Sequence, residues 1–430
     1  MKPIMPLYHH IKLCCGILVC CCLSNLQAIA KTGTDGHPPA GRASVSLDGM
    51  WNMAESKAAI GAQTHAPSLE VTATNSLDFA RSSQTLELSA ADLAPLGEKD
   101  LSKIHVRTAN DKELICQAID SDGDPLRTFD AVIFQADFGP KETRSFRVTT
   151  GEKQIFRKEQ FKAFGRFNRE RFDDFAWEND RVAHRTYGKA LETWQGEPLT
   201  SSAIDIWSKR TTRMIVNDWY LSDDYHDDRG EGADFYAAGP SRGCGGSGLW
   251  AKDRLWVSSN FVNSKVFTNG PIRISFELDY PPRDVAGVRV TETKRITLDA
   301  GHQFSRYESR YSADPSAVLA TAIGLQKAPG EAVEASPEEG WLVKWEPVRR
   351  AQGHQGMAVI VPQSSFSKQA ADELNHLVIM KPSQESTTVW WAGFCWDKEG
   401  RLPNAEQWKN HVATYAKELA APIKCTVNSR

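Results

Sequence analysis

Between Asp173 and Trp250 the chain gathers tryptophan, tyrosine, histidine, arginine and carboxylates, and closes on a glycine-rich run. The stretch opens with DDFAWENDRVAHRTYG (Asp173 to Gly188) and ends with DYHDDRGEGADFYAAGPSRGCGGSGLW (Asp224 to Trp250). These residue types suit an acidic sugar. Indole rings lie against the apolar face of a pyranose, and guanidinium groups pair bidentately with a carboxylate or sulfate. Read as one strand, the period of two puts Trp177, Asn179, Arg181, Arg185 and Tyr187 on one face and Glu178, Asp180 and His184 on the other. The competing reading is a charged lattice in which Glu178 and Asp180 neutralise the arginines.

Farther along, Tyr225-His226-Asp227-Asp228 is followed by Glu231, Asp234 and Tyr236. An imidazole among carboxylates is suited to proton transfer near neutral pH. His226, Asp228 and Glu231 also allow a divalent metal, but match no recognised ligand spacing, which favours proton transfer; a solvated acidic loop is the plain alternative. No cofactor is expected beyond such a metal. The run Gly243-Cys244-Gly245-Gly246-Ser247-Gly248 contains a formal GxGxxG, yet strand-like Leu249-Trp250 and Leu255-Trp256-Val257 follow where a dinucleotide site needs a helix. A close-packed turn near a ligand is expected instead. Ser247 lies in GGSG, outside any strand-to-helix nucleophile elbow.

These residues need a scaffold, and the chain reads as mainly β. From Leu69, apolar residues alternate: Leu69, Val71 and Ala73; Leu86 and Leu88; Ile104 and Val106; Leu114 and Cys116. With turns at Asn110-Asp111 and at Asp120 to Pro125, residues 67–150 predict a small antiparallel sandwich. Asp120, Asp122 and Asp124 imitate the start of a calcium loop, but its glycine is displaced and position twelve is Ala131, so a plain turn is expected. Residues 151–430 carry strand-like runs at 272–280, 288–298, 306–311, 319–325, 341–345, 358–361, 377–380 and 388–394, which predict a large antiparallel sandwich. One helix is expected near the end, capped by Asn404, with Trp408, Val412, Tyr415 and Leu419 on one face and Pro422 as its stop.

Composition narrows the partners. A net charge of −3 and a pI near 6.4 give no basic footprint for nucleic acid. Lys2 and Lys12, the apolar run from Leu13 to Leu23, and Ala28-Ile29-Ala30 read as an export signal cleaved near Ala30, which predicts a periplasmic or secreted protein with no membrane span; 31–66 reads as a linker. Five of nine cysteines fall in that leader. Cys116, Cys244, Cys395 and Cys425 are too scattered for a zinc framework and are expected as buried thiols, a Cys395–Cys425 bridge being the alternative.

The motifs WENDRVAHRTYGKAL (Trp177 to Leu191), SSAIDIWSKR (Ser201 to Arg210), YHDDRGEGADFYAAGP (Tyr225 to Pro240) with GCGGSGLW (Gly243 to Trp250), and WWAGFCWDKEG (Trp390 to Gly400) resemble the bacterial domain-of-unknown-function family 4861 over about residues 67–425. The chain also resembles proteins with a small β domain before a galactose-mutarotase-like supersandwich. The resemblance implies polysaccharide utilisation, and the family includes a dehydratase of ulvan oligosaccharides that leaves a 4,5-unsaturated residue at the non-reducing-end uronic acid. The residue roles come from chemistry. Arg181 and Arg185 would neutralise the substrate carboxylate, and His226 and Tyr187 would serve as base and acid, with His184 or Tyr236 as substitutes. Trp177, Asn179, Arg185, Tyr225, Asp228 and Glu231 would bind an acidic oligosaccharide. Glycoside hydrolysis by Asp228 or Glu231 with Asp180, and carbohydrate binding without catalysis, are the alternatives.

Overall fold

The first strand begins at Ser68. The computed structural model describes residues 67–429 except 125–127, 197, 223, 315–316 and 383–386, so the expected signal (1–30) and linker (31–66) lie outside the described residues. The alternation from Leu69 onward folds as two packed sheets. One has the order Lys424–Ser429, Ser68–Thr74, Thr143–Thr150, Ile104–Thr108, Glu113–Leu114; the other has Arg81–Ser89, Ala131–Phe138, Cys116–Ile119. Leu69, Val71, Ala73 and Phe146 of the first sheet pack with Leu86, Leu88 and Phe134 of the second, the two phenylalanines edge to face at 5.1 Å. The last strand comes from the far end of the sequence: Val427 pairs with Val71, and Cys425 with Ala73.

The larger body is a β-supersandwich. Its widest sheet has eight antiparallel strands in the order Asn263–Thr268, Arg273–Val285, Val288–Asp299, Phe304–Asp314, Thr387–Trp396, His354–Ile360, Trp341–Pro347, Ala332–Ser336. A five-stranded sheet (Arg254–Trp256, Cys244–Ala251, Ala320–Gln326, Asn375–Met380, Phe366–Ala371) and a second of five (Gly232–Ala233, Ile204–Lys209, Ala183–Thr186, Asp174–Asn179, Ala163–Asn168) share its main core. Phe276, Leu278, Ile296 and Leu298 of the wide sheet pack there with Phe175, Ile204, Ile206, Ile323 and Val378. Gln117 joins the two sandwiches. Its amide donates to Thr268 Oγ1 (2.7 Å) and the Arg273 carbonyl (3.0 Å), and its oxygen accepts from the N–H groups of Ile272 and Arg273, both at 2.8 Å.

The helix forms at Ala405–Ala420. Asn404 Oδ1 accepts the Gln407 N–H at 2.9 Å, and Trp408, Val412 and Ala416 are buried against Val343, Ala358 and Ile360. Among the described residues no helix is long and apolar enough to cross a membrane. Cys116, Cys244, Cys395 and Cys425 are free thiols. The glycine-rich run begins a strand rather than a turn or a nucleotide loop. Gly245 has φ +87° at a bulge, and a Cβ there would overlap the Ala392 methyl of the wide sheet, so glycine lets the two sheets close together.

Candidate active site

The segment expected as one strand is a hairpin. Asp174–Asn179 and Ala183–Thr186 pair antiparallel, with Trp177 opposite His184 and Ala176 opposite Arg185. Asn179 builds the turn: its Oδ1 accepts the N–H groups of Arg181 (2.8 Å) and Val182 (2.9 Å), and its amide donates to the carbonyls of Asp299 (2.6 Å) and His302 (2.8 Å). The reversal breaks the single period of two. Phe175, Trp177 and Ile206 enter the main core, whereas Ala176, Ala183 and Trp207 pack under the helix Val216–Ser222 and Tyr225. Arg185 and Asp205, paired across adjacent strands, lie with that second set.

Several expected site residues are therefore placed elsewhere. Trp177 is fully buried, donates to Ser305 Oγ at 3.1 Å and stacks on His184 at 5.1 Å, so its ring offers no sugar platform. His184 is held neutral, since burial pushes its imidazole down to about 3, and Phe394 meets its ring edge-on. Asn179 has no hydrogen-bonding capacity left over for a substrate. Arg181 interacts electrostatically with Glu399 and His411 and does not line the cleft that holds Arg185. Asp228 is paired with Arg210 and accepts the N–H groups of Gly230 and Gly232, Glu231 is held by two nitrogens of Arg213, and Asp180 accepts the Gly301 N–H at 2.6 Å. Among the described residues His226, Asp228 and Glu231 form no metal-sized cluster, and Asp180, Asp228 and Glu231 do not line the cleft that holds Arg185.

His226, Tyr187, Tyr236 and Arg185 do come together. They line a cleft of about 190 Å³ with Arg171, Asp205, Asp234, Arg349 and Arg350. Arg185 is its fixed centre. Nε lies 3.0 Å from Asp205 Oδ2, Nη2 contacts both Asp205 and Asp234 (3.0 Å to the latter), and Asp174 stands 3.8 Å from Nε. Burial works against the guanidinium charge, but Asp205 and Asp234 outweigh it and hold the charge firmly. The same burial raises the carboxyls: Asp174 is pushed up to about 7, and Asp234, beside Asp205, far above the usual range. Tyr187 donates to Asp205 Oδ2 at 3.1 Å, and Tyr225 OH lies 2.9 Å from Arg171 Nε. Burial keeps the phenols of Tyr187 and Tyr236 protonated, and Tyr236 OH has no partner among the described residues.

His226 is the exposed imidazole of the set, its side chain 56% exposed. Nδ1 sits 3.3 Å from the Asp234 carbonyl and 3.6 Å from its carboxyl group, a setting that in the neutral ring suits a proton on Nδ1 and a lone pair on Nε2. Arg350 donates to the His226 carbonyl (3.2 Å) and to Asp227 (2.9 Å), from a loop where Arg350 and Ala351 both have positive φ. Two successive non-glycine residues in that region store strain at the rim of the cleft.

A second acidic constellation stands in the smaller sandwich. Asp120, Asp122 and Asp130 each bring a carboxylate oxygen within 4.8 Å of the others, a cluster capable of holding a divalent ion. Asp124 instead caps Thr128, accepting from its N–H (3.2 Å) and hydroxyl (2.7 Å). The expected turn is there, and Asp130 replaces Asp124 in the acidic set.

A family model described as "Domain of unknown function (DUF4861)" matches residues 73–425. The chain belongs to this family. The match takes in every residue of the cleft. "Uncharacterized protein P7" of Formosa agariphila is 29% identical over 372 residues, covering 83% of this chain and 93% of that protein. Among solved structures, a protein in glycosyl hydrolase family 38 from Enterococcus faecalis superposes with a TM-score of 0.47 and 10% identity over 84% of this chain and 48% of that one. An α-mannosidase from Enterococcus faecalis V583 does so with a TM-score of 0.44 and 8% identity over 84% and 46%. This DUF4861 chain spans about half the length of each of those structures.

Asp205, Arg171, Arg349 and Arg350 are cleft residues that sequence reasoning missed. Asp205 carried a usable signal, a carboxylate alternating with Ile204 and Ile206 in a strand-like run, where a buried charge requires a partner. The two arginines of the Arg349 loop are distant in sequence and carried none.

Proposed function

We propose that this cleft takes the acidic end of an oligosaccharide and moves protons on it, the reaction being β-elimination of water from a terminal uronate to give a 4,5-unsaturated residue. The observation that carries this reading is the meeting of an exposed imidazole, two protonated phenols and several arginines in a cleft whose own carboxylates are taken up by Arg185. A uronate needs a cation to bind it and to stabilise the charge that develops as the C5 proton leaves. Arg185 is buried and occupied by Asp205 and Asp234, so Arg349 and Arg350 at the rim take that part, Arg350 by exchanging its exposed contact with Asp227. His226 Nε2 accepts the C5 proton, and the Tyr236 phenol protonates the departing C4 hydroxyl. The C5–H and C4–O bonds break, the C4=C5 bond forms, and one water leaves; His226 then returns its proton to the Tyr236 phenolate through solvent. Tyr187, tied to Asp205, and Tyr225 hold the wall. Export, expected from residues 1–30, would bring the protein to such fragments outside the cytoplasm.

A second reading has its own observation. Asp205 and Asp234 both reach one nitrogen of Arg185, and burial beside Asp205 raises Asp234 well above the ordinary carboxyl range, a paired-carboxyl arrangement that hydrolysis of a glycosidic bond would use. One experiment separates the readings. Saturated uronyl oligosaccharides from ulvan, pectin and glycosaminoglycans are incubated with the protein and followed by mass and ultraviolet absorbance. Loss of one water with new absorbance supports elimination. Cleavage with gain of water supports hydrolysis, and binding with unchanged mass leaves a carbohydrate-binding protein.

A further inference from the structure

Elsewhere in the described core, buried cations stand against carboxylates. Lys209 meets Glu178 at 2.8 Å, Arg273 meets Asp299 at 2.7 Å, Lys344 meets Glu331 and Glu346, and Arg185 meets Asp205 and Asp234. One layer between the wide sheet and the strand Cys244–Ala251 breaks this rule. On the inner face of the wide sheet, Tyr280 pairs across to Glu292 and Glu292 to Tyr311, one step from Lys294 and Ser309. Glu292 is the carboxylate of this layer. It takes Arg283 Nη2 at 2.9 Å, Lys294 at 3.4 Å and the Ser309 hydroxyl at 2.7 Å.

Arg242 adds a third cation from the facing side. It is fully buried, and its guanidinium donates to the Ser201 and Ser247 carbonyls and the Ser202 hydroxyl, with no carboxylate in contact among the described residues. Arg242 donates to the Ser247 carbonyl, and Leu249, two residues along that strand, packs with Val290, two residues from Glu292, which sets Arg242 against the same layer. Donors are left over. Arg242 Nε, Arg283 Nε and Nη1 and Tyr280 OH are buried without a partner among the described residues. Arg283 and Lys294 share the one carboxylate of Glu292, Arg242 touches none, and four donor atoms go unused, an arrangement that low-dielectric surroundings penalise heavily. The missing component is negative and accepts hydrogen bonds.

We infer that this layer is a binding site for a halide-sized anion, held by Arg242, Arg283, Lys294 and Tyr280. Size follows from the packing: Leu249, Val285 and Val290 pack on one side, and Leu278, Tyr307 and Trp390 belong to the main core on the other. At Pro281-Pro282 the pairing register shifts between Tyr280 and Arg283, and the Arg283 side chain retains 10% exposure. The inference is independent of the chemistry proposed for the cleft.

The test uses the full chain at constant ionic strength, titrating sodium bromide against sodium gluconate while following Tm, together with anomalous diffraction from bromide-soaked crystals. Expected are a saturable bromide-specific rise in Tm of about 2 to 4 °C and a bromide peak within hydrogen-bond distance of Tyr280 OH and Arg283. Tyr280→Phe, which removes one donor without altering charge, should weaken the bromide dependence, and Arg283→Met should abolish it if that variant folds. Equal responses to bromide and gluconate, or a peak confined to the surface with water in the layer, would overturn the proposal.

Discussion

Replacing Lys209 by Met should be among the most damaging single changes in the larger body. The Lys209 ammonium is buried and holds Glu178 Oε2 (2.8 Å), the Asn179 carbonyl (2.9 Å) and the Arg213 carbonyl (2.7 Å). Glu178 in turn accepts the N–H groups of Ile215 and Val216, both at 2.8 Å, where the helix Val216–Ser222 begins. Methionine keeps the stem's volume but strands a buried carboxylate and two carbonyls, a loss of about 3–5 kcal/mol. Adding Glu178→Gln removes the uncompensated charge while keeping an acceptor for the helix start, and should restore roughly half of that loss. The assay is urea unfolding followed by tryptophan fluorescence, with hydrogen exchange over residues 213–236. Exchange should quicken there first, because that segment carries Tyr225, stacked on Trp207 at 5.0 Å, and Tyr236 of the cleft. A single-variant loss below about 1 kcal/mol would refute the reasoning, as would a double variant no more stable than the single.

Other outcomes follow from the same contacts. His226→Ala should leave the fold intact by circular dichroism, since the ring is exposed, yet lower turnover about 10²- to 10⁴-fold; Tyr236→Phe should do likewise, and full activity in both would remove their roles. Asp174 holds its proton up to about pH 7 in the native state while the unfolded carboxyl releases it near 3.8, so its contribution to stability is lost as pH rises through that interval. Asp174→Asn should gain Tm relative to the parent as pH climbs from 4 to 8, and a constant difference would contradict the assignment. His184 has the opposite sign. Its neutral native ring against an unfolded value of 6.5 costs stability as pH falls toward 3, so His184→Phe should lessen acid sensitivity in a Tm profile. Gly245→Ala should cost about 1–3 kcal/mol in urea unfolding through overlap with Ala392; a neutral result would mean that the two sheets can part there.

Much of the scaffold was legible because antiparallel strands with one buried face advertise themselves by alternation. Val290, Ile296 and Leu298 on one strand and Leu69, Val71 and Ala73 on another are cases in point, and Trp408 and Val412 did the same for the helix. The edge strands Ala332–Ser336 and Phe366–Ala371, each with a mostly exposed face, carried no such signal. The candidate site was half legible. Composition singled out Arg185, Tyr187, His226 and Tyr236, but the turn at Asn179 reversed the chain, so Trp177 and His184 went into the core and Arg181 went toward Glu399. One polar side chain that organises a turn is enough to undo a period-two reading, and no count of residue types contains that information. Charge pairing was similarly hidden, because the sequence did not show that Arg210 and Arg213 would claim Asp228 and Glu231.

The pairing of Lys424–Ser429 with Ser68–Thr74 also has a kinetic meaning. Ser68–Thr74 is held on one side by Thr143–Thr150 and on the other by residues synthesised some 350 positions later, so its sheet cannot be completed until nearly the whole chain is available. During synthesis the smaller sandwich would carry an open edge next to Leu69 and Val71, the kind of exposed strand that chaperones cover and that aggregates when it is not covered. A tag or truncation at residues 424–429 would therefore act as a lesion at the opposite end of the sequence, and a chain kept incomplete in this way also remains longer in a state that can be unfolded and moved.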